Sequence, residues 1–122
     1  MFTDIHNCCM LLGTADDILI LCHKSPDGDT IGAAYGLYHA LTQLGRRAAV
    51  RCSDPLPEKF AYIHGGIEMP EFEPQLIIAV DIAGPGLLGP ALEQYADRVD
   101  LCIDHHVSNS DYAGLTLLDA QA

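Results

Sequence analysis

Acidic and imidazole side chains follow directly behind three apolar segments of this chain, residues 18–22, 76–80 and 99–103. The side chains are His23, Asp27 and Asp29 behind the first segment, Asp81 behind the second, and Asp104, His105 and His106 behind the third. Carboxylates and imidazoles without cysteine favour Mn²⁺, with Mg²⁺, Co²⁺ or Zn²⁺ as possible substitutes. Two such ions about 3.5–4 Å apart can activate a water and stabilise the departing oxygen of a phosphoester.

Apolar segments that alternate with helical patterns must position these groups. The alternation predicts an α/β fold, a three-layer domain with a mainly parallel sheet of about five strands flanked by helices. In such sheets, ligands collect beyond the carboxyl ends of the strands, where all three groups would lie. We expect strands at 17–22, 48–52, 75–80, 98–103 and 114–118, and helices at 3–12, 30–44, 58–63 and 87–97.

Composition limits the class of protein. With 122 residues the chain is long enough for one hydrophobic core. Neither a secretory signal nor an apolar stretch of membrane-spanning length is visible in the sequence. The five cysteines are odd in number and form no C-x-x-C pair, which favours a reduced, cytoplasmic setting. A net charge of −11 argues against binding of duplex DNA, but bound cations would still permit phosphate chemistry.

The first polar group lies in a segment with turn-forming residues. In an extended loop, Asp27 and Asp29 would project in opposite directions and serve neighbouring ions. Pro26 would stiffen the loop, and Gly28 would let its backbone turn closely. The alternative is that the two aspartates are turn and helix-cap residues.

The other two groups have similar alternatives. Asp81 follows five apolar residues, where a carboxylate is costly unless it is paired or bound to metal; otherwise it would cap a turn. His105 and His106 are expected to point to different sides, with Asp104 orienting an imidazole by accepting its N–H. The alternative here is a merely polar strand end.

These motifs resemble a known family. The segment His23-Lys-Ser-Pro-Asp-Gly-Asp-Thr-Ile-Gly32, the strand ending in Asp81, and Asp104-His-His106 are similar to motifs one to three of the DHH phosphoesterase superfamily. Within it, PDGDTIGAAYGLYHAL and IDHHVSNSDYAG most resemble the nanoRNases, which cleave short oligoribonucleotides and dephosphorylate phosphoadenosine phosphate. The wider superfamily includes cyclic-dinucleotide phosphodiesterases, exonucleases, exopolyphosphatases and manganese pyrophosphatases.

The resemblance implies a hydrolase with two manganese ions. His23 and Asp27 would hold one ion, Asp29 and His105 would hold the other, and Asp81 would bridge them. The substrate would be a short single-stranded RNA or a small nucleotide.

The same resemblance implies roles around the substrate. His106 would contact the scissile phosphate, and Asp104 would support the histidines. Ser108 and Asn109 would help line the phosphate pocket.

Two family features fall outside residues 1–122. They are a fourth motif with a further aspartate and a C-terminal substrate-binding domain, so we expect a truncated DHH catalytic domain with little activity alone. A cyclic-dinucleotide phosphodiesterase and a non-catalytic regulatory or assembly module are the alternatives. A manganese pyrophosphatase is less favoured, because Gly28 stands where that branch usually has threonine. A homodimer is left open.

Overall fold

A five-stranded parallel sheet forms the centre of the molecule, in a computed structural model that describes residues 1–121. The strand order is β2-β1-β3-β4-β5. Leu21 at the end of β1 pairs with Arg51 on one side and Ala79 on the other, so the carboxyl ends of three strands lie together. The strands are β1 Ile18–Leu21, β2 Ala48–Arg51, β3 Leu76–Val80, β4 Leu101–Asp104 and β5 Leu115–Leu118.

Helices cover the sheet, and the predicted three-layer α/β fold is confirmed. One face, with Ile20 and Ile78, packs against α2 through residues such as Ile31. The other face packs beneath Leu88 and Leu92. Strands with both faces covered read as continuous apolar runs, which is why their positions were predictable. The α-helices are α1 Ile5–Thr14, α2 Gly28–Gln43 and α3 Ala61–His64, and Glu58–Phe60 forms a short 3₁₀ turn before α3.

The helix expected over residues 87–97 is wrong. This stretch forms two 3₁₀ turns, Pro85–Leu87 and Pro90–Tyr95. Gly89 between them has φ of 86°, outside the right-handed helical region, and Pro90 has no N–H to donate. The right-handed helical conformation is therefore interrupted at Gly89, and the segment does not continue as one α-helix.

The expected extended loop from residue 23 to residue 29 is also wrong at its end. Helix α2 already begins at Gly28, because the side chain of Asp27 accepts a hydrogen bond from the backbone N–H of Thr30 at 3.0 Å. Such an N-cap satisfies one of the free N–H groups of the first turn. Asp29 therefore lies in the first turn of α2, and the cap alternative describes Asp27 correctly.

The described residues show two further general features. All five cysteines are free thiols. Within residues 1–121, none of the helices combines the length and the apolar character that crossing a membrane demands.

Candidate metal centre

Asp81 lies at the centre of the site, directly after β3. Its backbone N–H donates to the carbonyl of Ile103 at 2.9 Å, which ties it to the end of β4. Its φ of 61° falls in the left-handed region, a conformation that costs a non-glycine residue roughly 1–3 kcal/mol and that is enriched at functional sites. Burial raises the pKa of the Asp81 carboxyl, and Asp29 raises it further, although a hydrogen bond with His105 opposes the shift.

His105 meets two carboxylates. Its Nε2 lies 2.8 Å from Oδ1 of Asp81 and 3.2 Å from Oδ2 of Asp29. The hydrogen bond with Asp81 raises the pKa of the His105 imidazole, because the carboxylate stabilises the charged ring. Residues from the ends of β3 and β4 and from the first turn of α2 therefore converge here.

His106 is held by Asp104 from behind. Nδ1 of His106 lies 2.6 Å from Oδ1 of Asp104, whose side chain is fully buried. Burial raises the pKa of the Asp104 carboxyl, but hydrogen bonds from Asn109, His106 and the backbone outweigh it and lower the pKa overall. The ring centroids of His105 and His106 are 4.3 Å apart at 35°, so the expectation that these rings point to different sides is wrong.

Four side chains offer ligand atoms within 4.8 Å of one another. They are Asp81, Asp104, His105 and His106. Asp29 stands next to this group through His105. Roles as metal ligands stay predictions for all of these residues.

His23 and Asp27 make other contacts in this structure. Nδ1 of His23 hydrogen-bonds with the backbone carbonyl of Lys24. A carboxylate oxygen of Asp27 caps α2, as described above. Their predicted part in holding one ion therefore also stays a prediction.

The two residues predicted to line the phosphate pocket differ in their surroundings. Ser108 is exposed. The side-chain amide of Asn109 donates to Oδ2 of Asp104 at 2.8 Å, and its carbonyl accepts from the backbone N–H of Asp111 at 2.7 Å. Asn109 is thus committed to contacts within the protein.

Thr30 is a site residue that the sequence reasoning missed. Its buried hydroxyl donates to the carbonyl of Val80 at 3.2 Å and accepts from the backbone N–H of His23 at 3.3 Å. It therefore joins the loop after β1 to the strand that ends at Asp81. The available signal was a hydroxyl residue directly after Asp29, in the first turn of a helix packed on the sheet.

A cavity of about 340 Å³ opens beside Asp81 and His105. Asp119, which follows β5, contributes another carboxylate to its wall. The rest of the lining is partly apolar, and the lining residues are Asp29, Ala33, Val80, Asp81, Ile103, Asp104, His105, Leu117 and Asp119.

The chemistry of these groups fits a divalent cation. Carboxylate oxygens and imidazole nitrogens converge, and no thiol is in the group. The Asp81 carboxylate is buried, and a cation beside it would compensate the cost of its charge. The donor set does not single out one metal.

A parallel α/β domain with carboxylates and imidazoles at the strand ends is the architecture expected of a hydrolytic metal centre. The model of the DHH family, N-terminal domain, matches residues 17–120. The chain therefore belongs to the DHH family.

Two similar proteins extend this result. The chain is 32% identical, over 108 residues, to the bifunctional oligoribonuclease and PAP phosphatase NrnA of Thermus thermophilus; the match covers 84% of this chain and 32% of the relative. The chain thus spans about a third of that relative's length. The crystal structure of an exopolyphosphatase-related protein from Bacteroides fragilis superposes with a TM-score of 0.83 at 22% identity. It covers 97% of this chain and 39% of the other, which shows a common fold.

Proposed function

We propose that this chain is the catalytic domain of a metal-dependent phosphoesterase that hydrolyses short oligoribonucleotides or phosphoadenosine phosphate. The observation that carries the proposal is the convergence of Asp29, Asp81 and His105 at the carboxyl edge of the sheet. Membership of the DHH family and the similarity to NrnA support the reaction class and the substrates.

The family motifs support the whole ligand set, and the geometry supports Asp29, Asp81 and His105 within it. Asp81 would contact both ions, with Asp29 and His105 on one side and His23 and Asp27 on the other. When bound, two manganese ions would supply a water nucleophile at neutral pH and neutralise charge that develops on the phosphate.

The chain's own residues would position the reacting groups. Asp29 and Asp81 hold His105 between them, which fixes Nε2 of that ring. Asp104 holds Nδ1 of His106 and leaves Nε2 free, and in the protonated ring its N–H would donate to a phosphate oxygen. His105 would thus bind the metal, and His106 would bind the substrate.

The net charge of the chain is compatible with small nucleotide substrates. The net charge of −11 disfavours an extended contact with duplex DNA, whereas a single phosphate next to bound cations is tolerated. The five free thiols favour the reducing cytoplasm as the setting.

Metal binding is tested by thermal melting of the chain with increasing Mn²⁺. A ligand that binds only the native state stabilises it by about 2.7 kcal/mol at a hundredfold excess over Kd. We expect the melting temperature to rise with Mn²⁺, and to rise less with Mg²⁺. An unchanged melting temperature at millimolar Mn²⁺ would contradict the metal centre.

Substrate class is tested by hydrolysis of four compounds side by side at high enzyme concentration. These are a diribonucleotide, phosphoadenosine phosphate, a cyclic dinucleotide and pyrophosphate. We expect Mn²⁺-dependent cleavage of the first two, abolished by Asp81→Ala. Preference for the cyclic dinucleotide would reassign the substrate. Metal binding without cleavage of any compound, even by a form extended with the family's C-terminal substrate-binding domain, would favour a non-catalytic module.

A further inference from the structure

Asn109 occupies a position that the metal centre and the proposed mechanism leave unexplained. It lies in the loop after β4, and its amide group is used at both ends. Nδ2 donates to Oδ2 of Asp104, and Oδ1 accepts from the backbone N–H of Asp111. The side chain therefore links the loop backbone to a buried carboxylate.

The Asp104 carboxylate is bonded on both oxygens. Oδ1 lies 2.8 Å from the backbone nitrogen of His105 and 2.6 Å from Nδ1 of His106, while Oδ2 receives the amide of Asn109 at 2.8 Å. A buried ionised carboxylate is costly unless hydrogen bonds compensate it. Among the described contacts of Oδ2, the amide of Asn109 is the bond that fixes its orientation.

A second layer packs behind this contact. The hydroxyl of Tyr112 donates to the carbonyl of Ile82 at 2.9 Å and contacts Sγ of Cys102 at 3.6 Å. Nδ2 of Asn109 also lies 3.5 Å from that sulfur. Tyr112 thus supports the same loop without a described contact to Asp104, which makes it a useful control.

We propose that Asn109 is a positioning residue that acts through Asp104 on His106. It holds the carboxylate so that Oδ1 accepts a hydrogen bond from Nδ1–H of His106. The neutral ring then carries its proton on Nδ1, and Nε2 is the atom that becomes an N–H donor to phosphate when the ring is protonated. Imidazoles near metals are often fixed by such an acceptor on the other ring nitrogen. The inference deepens the proposed function and reassigns Asn109 from the phosphate pocket to the support of His106.

The isosteric variant Asn109→Asp tests this directly. It keeps an oxygen for the N–H of Asp111 but replaces the donor facing Asp104 with a second carboxylate. Coulomb attraction alone would make the added charge strengthen Mn²⁺ binding. Because His106 is not among the proposed ligands, the proposal expects Mn²⁺ affinity no weaker than in the original chain, and expects the change at the His106 ring instead.

The decisive readout is the protonation site of His106, observed by ¹⁵N–¹H correlation of the ring at pH 8. The original chain should show the proton on Nδ1, and Asn109→Asp should move a substantial fraction of it to Nε2. Asn109→Ser, which removes the amide without adding charge, should move the proton in the same direction and keeps the test usable if the aspartate variant fails to fold.

Two variants serve as controls. Asn7→Asp makes the same chemical change on the exposed side of α1, and Tyr112→Phe removes a loop hydrogen bond that does not involve Asp104. Both should retain the proton on Nδ1 and the Mn²⁺ affinity.

The proposal is overturned if the original chain carries the proton on Nε2, or if both Asn109 variants match the original chain in protonation site. This measurement does not require turnover. Failure of the phosphoesterase assay would therefore leave this test intact, and the two failures are distinguishable.

Discussion

Oδ1 of Asp81 lies 2.8 Å from Nε2 of His105, where the ends of β3 and β4 meet. The same carboxylate oxygen lies 3.7 Å from Nδ1 of His106. A buried carboxylate that is shared by two imidazoles is a costly arrangement unless a cation or a proton accompanies it. The relationship makes Asp81 the residue on which the metal hypothesis is tested most sharply.

Asp81→Asn should separate function from stability. The raised pKa of Asp81 means that the folded state favours the protonated carboxyl over the ionised one. This preference stabilises the fold at low pH, and the stabilisation is lost as pH rises through the folded pKa. At pH 7 the neutral amide should therefore leave the metal-free melting temperature equal or higher. The rise of the variant's melting temperature with Mn²⁺ should disappear, as measured by scanning calorimetry.

The matched control for this experiment is Asp97→Asn, because Asp97 is exposed and is not one of the residues of the candidate metal centre. It removes the same charge and should retain the full Mn²⁺ response. A normal Mn²⁺ response in Asp81→Asn would contradict the central place of Asp81.

Mn²⁺ binding should release protons near neutral pH. In the metal-free protein, Asp81 raises the pKa of His105 above the reference value of 6.5, so the ring is still partly protonated there. Below pH 6.5 the ion pair stabilises the fold as long as Asp81 stays ionised, and this stabilisation is lost as pH rises through the folded pKa of His105. A metal, by contrast, needs the neutral ring. Affinity for Mn²⁺ should therefore rise with pH across this window.

Titration calorimetry at pH 7 in two buffers with different ionisation enthalpies measures the proton release. Asp81→Asn should lower the His105 pKa, which ¹H NMR titration of the ring would show. Identical binding heats in both buffers would show that Mn²⁺ does not displace a proton from His105.

Thr30→Val should weaken both the fold and the metal centre. Valine has nearly the shape of threonine but leaves the N–H of His23 and the carbonyl of Val80 without the bonds that the hydroxyl makes. The expected loss is about 1–3 kcal/mol in the free energy of unfolding by urea. The rise of melting temperature with Mn²⁺ should also shrink, because the hydroxyl joins two of the segments that carry predicted ligands.

Thr42→Val is the control, because the hydroxyl of Thr42 donates to the carbonyl of His39 on an exposed part of α2. It should change stability by only a few tenths of a kcal/mol. A Thr30→Val variant as stable and as Mn²⁺-responsive as this control would remove Thr30 from the site.

The strands could be predicted for a physical reason, whereas the family followed from the resemblance of the motifs. Buried parallel strands need uninterrupted apolar runs, and Leu76–Val80 is such a run, so its assignment depends on no distant contact. The edge where Asp81 and His105 meet followed from the topology of parallel sheets alone.

Side-chain direction was harder to predict, because it depends on local hydrogen bonds. Asp27 is the N-cap of α2, and α2 begins two residues earlier than predicted, so Asp29 lies in its first turn. The rings of His105 and His106 lie side by side because Asp81 and Asp104 hold them from adjacent positions. Gly89 separates two 3₁₀ turns within a segment that was expected to form one helix, since the sequence pattern does not report φ.

Gly89→Ala should destabilise the chain through its backbone. Its φ of 86° disfavours any side chain, and a Cβ built there would lie 2.6 Å from Oγ of Ser53. That hydroxyl donates to the carbonyl of Leu88 and accepts from the N–H of Ala91, so it has little freedom to move. The expected loss is about 1–3 kcal/mol in the free energy of unfolding, measured by urea denaturation.

The control is Gly86→Ala, because Gly86 has no neighbour within 4 Å of a built Cβ and does not have positive φ. It should change stability by less than about 0.5 kcal/mol. The backbone N–H of Lys24 donates to the carbonyl of Leu87 at 2.7 Å, so the segment at Gly89 also supports the loop that carries His23. Gly89→Ala should therefore also reduce the rise of melting temperature with Mn²⁺. Equal stability and an equal Mn²⁺ response in the two variants would show that the conformation of Gly89 supports neither the fold nor the metal centre.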